Sequence, residues 1–206
     1  MSGLPDLTPF SSSPNEGPAT GACCDSCWSS SLIHPRFWLL TALVTGAVLA
    51  RWLPHPPNFT PIGALALFGG SFYADRRLAL ALPLLALFLS DLAIGLHLLM
   101  PVVYGSFACN VLLGRWLRHH WGVWNLAAVT VLGSIQFYLT TNFACWLMAY
   151  PHTLAGLIDC YVKALPFFRN TLLGDATFVV VLFGAVAVAE RLLPVLRERT
   201  NQPATT

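Results

Sequence analysis

The sequence predicts an all-α membrane protein, a bundle of six transmembrane helices with both termini on the inner side. Three observations predict it. Of the 206 residues, 56% are hydrophobic and 10% are charged, with a mean hydropathy of +0.65. A soluble domain carries about 25% charge, so these few charges cannot cover a water-facing surface at this length. Apolar runs recur six times, parted by prolines or charged turns. With the N-terminus inside, Arg36, Arg76, Arg77, Arg115, Arg118, Arg191, Arg197 and Arg199 fall on the inner side. Only Arg51, Lys163 and Arg169 fall outside, the asymmetry of the positive-inside rule.

Residues 1–35 are rich in Ser, Pro, Gly and Thr without a hydrophobic period and read as a disordered cytoplasmic tail. They lack the apolar core of a signal peptide, so the first apolar run is expected to act as a retained anchor. Cys23, Cys24 and Cys27 form a CxxC-like cluster, but a structural metal site needs a fourth ligand and only His34 is near. No metal or cofactor is assigned. The transmembrane domain covers 36–196, and 197–206 form a short polar cytoplasmic tail.

The first span is expected at 37–53, with Trp38 and Trp52 at its ends, where indoles favour the interface. Ala42, Gly46 and Ala50 recur every four residues and give one face almost without bulk. Such a face admits close approach of another helix, within the bundle or from a partner membrane protein. Four residues of a proline-rich step, 54–57, precede the second span at 60–73, for which Thr60 is the expected N-cap and Pro61 the first helical residue. Ala66 and Gly70 offer a second face for close approach. The third span, 78–100, carries Asp91 and His97 in an apolar run. Pro101 opens the fourth, 101–117, with Tyr104, Ser106 and Asn110, and the fifth covers 122–150. Leu154, Leu157, Ile158, Tyr161, Val162 and Leu165 then share one helical face opposite Asp159 and Lys163. This spacing predicts a short amphipathic interfacial helix between helices 5 and 6. The sixth span is expected at 171–196.

A net charge of +2 with dispersed basic residues excludes a nucleic-acid footprint. No HExxH helix, GxSxG elbow or phosphate-binding glycine loop is present, which leaves a membrane-embedded enzyme without a motif. The buried polar groups sort to the outer half of the spans, and an ionisable group in hydrocarbon costs about 2.5–3.5 kcal/mol. They are therefore expected to face protein or water, in a pocket that opens outward. Its candidate residues are Asn58, Thr60, Asp91, His97, Asn142, Arg169, Asn170 and Asp175, with Arg169 able to pair with Asp175 or with an anionic ligand.

The run LPHPPNFTPIGALALFGG at 53–70, LSDLAIG at 89–95, TTNFACWLMAYPHTLAGLIDCYVKALPFFRNTLLGD at 140–175 and the later LFG resemble a family of small, uncharacterised bacterial multi-pass membrane proteins. More distantly, size and layout are similar to the substrate-binding S components of energy-coupling factor vitamin transporters. That resemblance implies a bacterial inner-membrane location and an outward-facing site for a small polar or vitamin-like solute. It also implies that an energising partner docks on helix 1, where Ala42, Gly46 and Ala50 match the small-residue pattern. No ligand-specific vitamin motif maps onto the chain. The expectation is thus a solute-binding or uptake protein in contact with the lipid bilayer. The alternatives are a non-transporting membrane scaffold, whose polar groups only join helices, and a membrane-embedded enzyme.

Overall fold

The computed structural model describes residues 35–50, 54, 56–95 and 98–196. The expected tails, the Cys23/Cys24/Cys27 cluster, Arg51 and His97 lie outside these residues. The described residues are all-helical, with no strand among them. The helices are α1 (Pro35–Ala50), α2 (Ile62–Phe72), α3 (Arg76–Ile94), α4 (Met100–His119), α5 (Val123–Ala149) and α6 (Leu154–Leu192), with a final 3₁₀ turn at Pro194–Leu196. α5 and α6 are each long and apolar enough to cross a membrane.

Successive helices run antiparallel, as their side-chain pairs show. Phe37 at the start of α1 meets Tyr73 after α2, with ring centroids 6.2 Å apart. Tyr104 early in α4 reaches Asp91 late in α3, and Phe107 stacks on Phe137 of α5 at 5.1 Å. Arg36 pairs with Glu190 at 3.4 Å, which brings the start of α1 to the end of α6. This alternation gathers Arg36, Arg76, Arg77, Arg115, Arg118 and Arg191 at one end of the bundle.

α2 is the centre. All its residues from Ile62 to Ser71 are buried, and neighbours pack on every side. Its glycines explain how. A methyl group on Gly70 would lie 2.9 Å from the Arg115 backbone nitrogen and 3.0 Å from Gly114 Cα. One on Gly114 would run into the Leu67 carbonyl, so α2 and α4 cross backbone to backbone. Ser71 Oγ lies 3.1 Å from Gly114 O at the same crossing. Gly69 makes the corresponding room for Pro83 of α3. The expected close-approach role of Gly70 is therefore met inside the chain.

The other small face behaves differently. α1 buries Leu40, Val44 and Ala47, whereas Ala42 and Gly46 are exposed and nothing lies within 4 Å of a methyl built on Gly46.

Three expectations need correction. The interfacial helix is not a separate element, because Leu154–Leu192 is one helix that continues through Pro166. Thr153 caps it by accepting from Gly156 N at 3.1 Å, and Thr171 Oγ1 bonds Phe167 O where a break was expected. One proline removes one backbone donor, and the helix runs on past it through Gly174 and Gly184. Gly156, Cys160 and Ala164 are buried, with Cys160 Sγ 3.5 Å from Asn142 O of α5, while Leu154, Ile158, Val162 and Leu165 of the anticipated apolar face are exposed. Thr60 is not the N-cap of α2. Pro61 holds that position and makes no side-chain cap bond. α2 itself, at 11 residues, is about 16 Å long, half the roughly 30 Å of a hydrocarbon layer.

The turn leading into α2 is set by its sequence. Phe59 N bonds Pro56 O at 3.0 Å, and Asn58 takes φ 63°. Pro57 followed by a left-handed Asn is the pattern of a type II turn, in which proline supplies φ near −65° and asparagine tolerates the positive value. Asn170 of α6 donates to Pro57 O at 3.0 Å and holds the turn in place. Asn58→Val should cost about 1–2 kcal/mol, because a branched side chain is strained at this φ. Asn58→Gly should stay close to wild type. Thermal unfolding of the two variants checks the order, and equal melting would refute the strained turn.

Candidate functional site

Because α2 stops short, space opens over its first turn. A cavity of about 200 Å³ lies there. Its floor is Ile62 and Gly63, and Asn58 and Thr60 form its rim. Each surrounding helix adds residues at the spacing of one helical face. These are Leu87 and Asp91 of α3, Val103, Phe107 and Asn110 of α4, and Thr171 and Asp175 of α6, with Phe137 from α5.

Asp175 is 4% exposed and accepts from Ser134 Oγ at 2.7 Å. It also accepts from the backbone N–H of Ala64, in the first turn of α2. The helix thus receives its N-terminal cap from a carboxylate on α6. A free helix N-terminus carries unpaired donors and partial positive charge, and Asp175 answers both. Gly63 makes the approach possible, since a methyl there would fall on the Asp175 carboxyl carbon at 2.7 Å. The opposite end of α2 is served by α4. Arg118 Nη1 lies 3.3 Å from Phe72 O, and Arg115 Nη1 lies 3.4 Å from Ala74 O, cations against a helix C-terminus.

Asp91 is 2% exposed and accepts from Tyr104 Oη at 3.0 Å. Asn110 is 1% exposed, and its Oδ1 has no hydrogen-bond partner. It rests on Gly133, where a methyl would lie 2.7 Å from that oxygen. A buried carboxamide without a donor costs about 1–3 kcal/mol, so its place in the wall calls for an explanation.

Of the residues predicted from sequence, Asn58, Thr60, Asp91 and Asp175 line the cavity. Asn170 fixes the rim through Pro57. Asn142 sits away from it, donating to Tyr138 O of its own helix at 2.8 Å. Arg169 is exposed and does not line the cavity, and Ser134 takes the place beside Asp175 for which the arginine was a candidate. The sequence reading missed Asn110, Ser134 and Thr171 as site residues. Thr171 was findable, since it lies four residues before Asp175 and so on the same face.

The chain is therefore an all-helical protein whose buried central half-helix floors a polar cavity. It belongs to the DUF6580 family, described as a family of unknown function, which matches residues 31–196. No curated protein and no solved structure matches it.

Proposed function

We propose that the protein is a multi-pass protein of a bacterial inner membrane that binds a small polar solute from the outer side, in the manner of a transporter's substrate-binding component. The observation that carries this reading is the cavity over α2, into which buried polar side chains of α3, α4 and α6 converge. A bundle held together only by polar contacts has no need of such a space, nor of Asn110 Oδ1 without a donor.

The alternation of helix direction supports a reading of six crossings with both termini on one side. Support comes from the apolar surface. Leu85, Phe88 and Leu89 on α3, Leu139 and Phe143 on α5, and Val180, Val181 and Val188 on α6 are all exposed. Side chains of this kind face lipid at little cost and water at considerable cost. The arginine-rich end is then the inner one, and the cavity opens at the other. Ala42 and Gly46 leave α1 with a bare face on which an energising membrane partner could seat. About 200 Å³ is below the roughly 300–1,000 Å³ of drug-sized ligand sites, which favours a solute smaller than the larger vitamins.

The scaffold reading draws on one observation, that Asp91 and Asp175 each already have a protein partner. The two readings part in one experiment. The protein is purified without added ligand, and co-purifying small molecules are identified by mass spectrometry, with Asp91→Asn alongside. Solute binding predicts a molecule retained by wild type and depleted in the variant. An empty preparation that also shows no thermal shift with any screened solute sinks the binding reading. For topology, a reporter placed in the α5–α6 turn at 150–153 should read external. A cytoplasmic signal there would refute the arrangement.

A further inference from the structure

We propose that Cys145 of α5 and Cys160 of α6 are an oxidisable pair that closes to a disulfide and staples the two helices just below their turn. The outward position of that turn rests on the topology read above. The side chain of Cys145 lies within hydrogen-bonding reach of the Cys160 thiol. Cys160 Sγ also lies 3.5 Å from Asn142 O, three residues before Cys145 and so on nearly the same face of α5. Both sulfurs therefore share one patch of the α5–α6 contact, and their neighbours hold it in register. Tyr138 Oη donates to Tyr161 O at 2.6 Å, and Tyr161 Oη donates back to Leu139 O at 2.7 Å. Trp146, the residue after Cys145, donates from Nε1 to Pro151 O in the turn at 3.0 Å. A disulfide demands Cβ atoms about 3.5–4.5 Å apart, and a contacting pair held this way needs little movement to meet that demand.

The two thiols differ in access, as an entering and a resolving cysteine do. Cys145 is half-buried, four residues from the end of α5, and Cys160 is 3% exposed, six residues into α6. At 1.5 Å per residue both lie within about 9 Å of the turn, close to the edge of the hydrocarbon layer. The oxidant is an external disulfide, the kind that maintains protein disulfides outside a bacterial inner membrane. The Cys145 thiolate attacks one sulfur of that disulfide and releases the other as a thiol. Cys160 then attacks the Cys145 sulfur, which forms the Cys145–Cys160 bond and releases the second thiol. The protein gives up two electrons and two protons, and the oxidant takes them up in becoming two thiols. The staple would anchor the outer end of α6, the helix that brings Thr171 and Asp175 to the cavity and Asn170 to its rim.

The test has two arms, both on the full wild-type chain. In the first, cells are quenched in acid and denatured in N-ethylmaleimide, and peptide mapping scores each thiol before and after reduction. Cys145 and Cys160 should be labelled only after reduction, and Cys109 of α4, which is free, should be labelled at once. In the second, the reduced protein in lipid nanodiscs is treated with oxidised glutathione, which should close the pair. Both thiols left free under excess oxidant would show that the geometry does not admit the bond, and the proposal falls whatever the topology. The cell arm is read beside the reporter at 150–153. Reduced thiols in cells with an external reporter overturn the proposal and leave the topology standing. A cytoplasmic reporter overturns the topology and the staple in cells with it. Cys160→Ser should trap glutathione on Cys145, and an unmodified Cys145 in the folded variant would refute its role as the entering thiol.

Discussion

Gly114→Leu is expected to prevent the bundle from assembling. Gly114 and Gly70 bring the backbones of α4 and α2 into direct contact, so any side chain at Gly114 must displace the Leu67 carbonyl. Overpacking of a core usually costs about 1–3 kcal/mol, because side chains can shift. Here the obstacle is main chain in a helix buried on all sides, and it cannot yield without parting the two helices. Gly114→Ala should therefore cost about 2–3 kcal/mol and Gly114→Leu more than about 4 kcal/mol. Gly46→Leu is the matched control. It makes the same change in a helix of the same chain, at a position with nothing within 4 Å, and should stay within about 0.5 kcal/mol. Unfolding midpoints of the purified variants measure this. A Gly114→Leu protein as stable as Gly46→Leu would show that α2 and α4 do not cross at this point.

The second large effect is at Asp175, where the diagnostic is a reversal of sign. Asp175→Ala removes the acceptor for the first turn of α2 and leaves the buried Ala64 N–H unpaired, while Ser134 Oγ keeps Thr130 O at 3.1 Å as an acceptor. The expected loss is about 1–3 kcal/mol. Gly63→Ala in the wild type drives a methyl into the same carboxylate and should cost about 1–3 kcal/mol. In the Asp175→Ala background that clash is gone, and alanine is favoured over glycine in a helix by about 1 kcal/mol. Gly63→Ala should then be neutral or stabilising. A double-mutant cycle should give a coupling of about 1–3 kcal/mol, and additive single effects would refute the contact between Asp175 and α2.

Much of the fold is legible in the chain because its punctuation is local. Pro101, Gly122 and the step at 54–61 lie at or beside helix ends whatever packs around them. Gly95, at φ 125°, ends α3 where few other residues could. The two aspartates of the cavity were legible for a related reason, since a carboxylate in an apolar run has to face protein or water. What was not legible is relational. Ala42/Gly46/Ala50 and Gly156/Cys160/Ala164 have the same spacing, yet only the second set is buried, and nothing local distinguishes them. Asn110 looks like any single asparagine in a helix until Gly133 is placed beneath it. Arg169 was separable from Asp175 by arithmetic alone. Six residues at 3.6 per turn turn a side chain by about 240°, to a different face. The continuity of α6 was hidden by Pro166 and the polar residues after it. Together they resemble a helix end, but packing on α5 carries the helix through.

The double capping of α2 also has a consequence for how the protein is made. The arginines that close one end of this helix and the aspartate that closes the other are translated after it, and the turn at its head is pinned by a residue 113 positions downstream. When α2 leaves the ribosome, none of these capping residues has been made. The last long helix to emerge completes the second one made, so maturation runs against the order of synthesis. A chain released before α6 is not five-sixths of a protein. It is a set of helices whose central one is closed by arginines at one end and lacks the Asp175 carboxylate at the other.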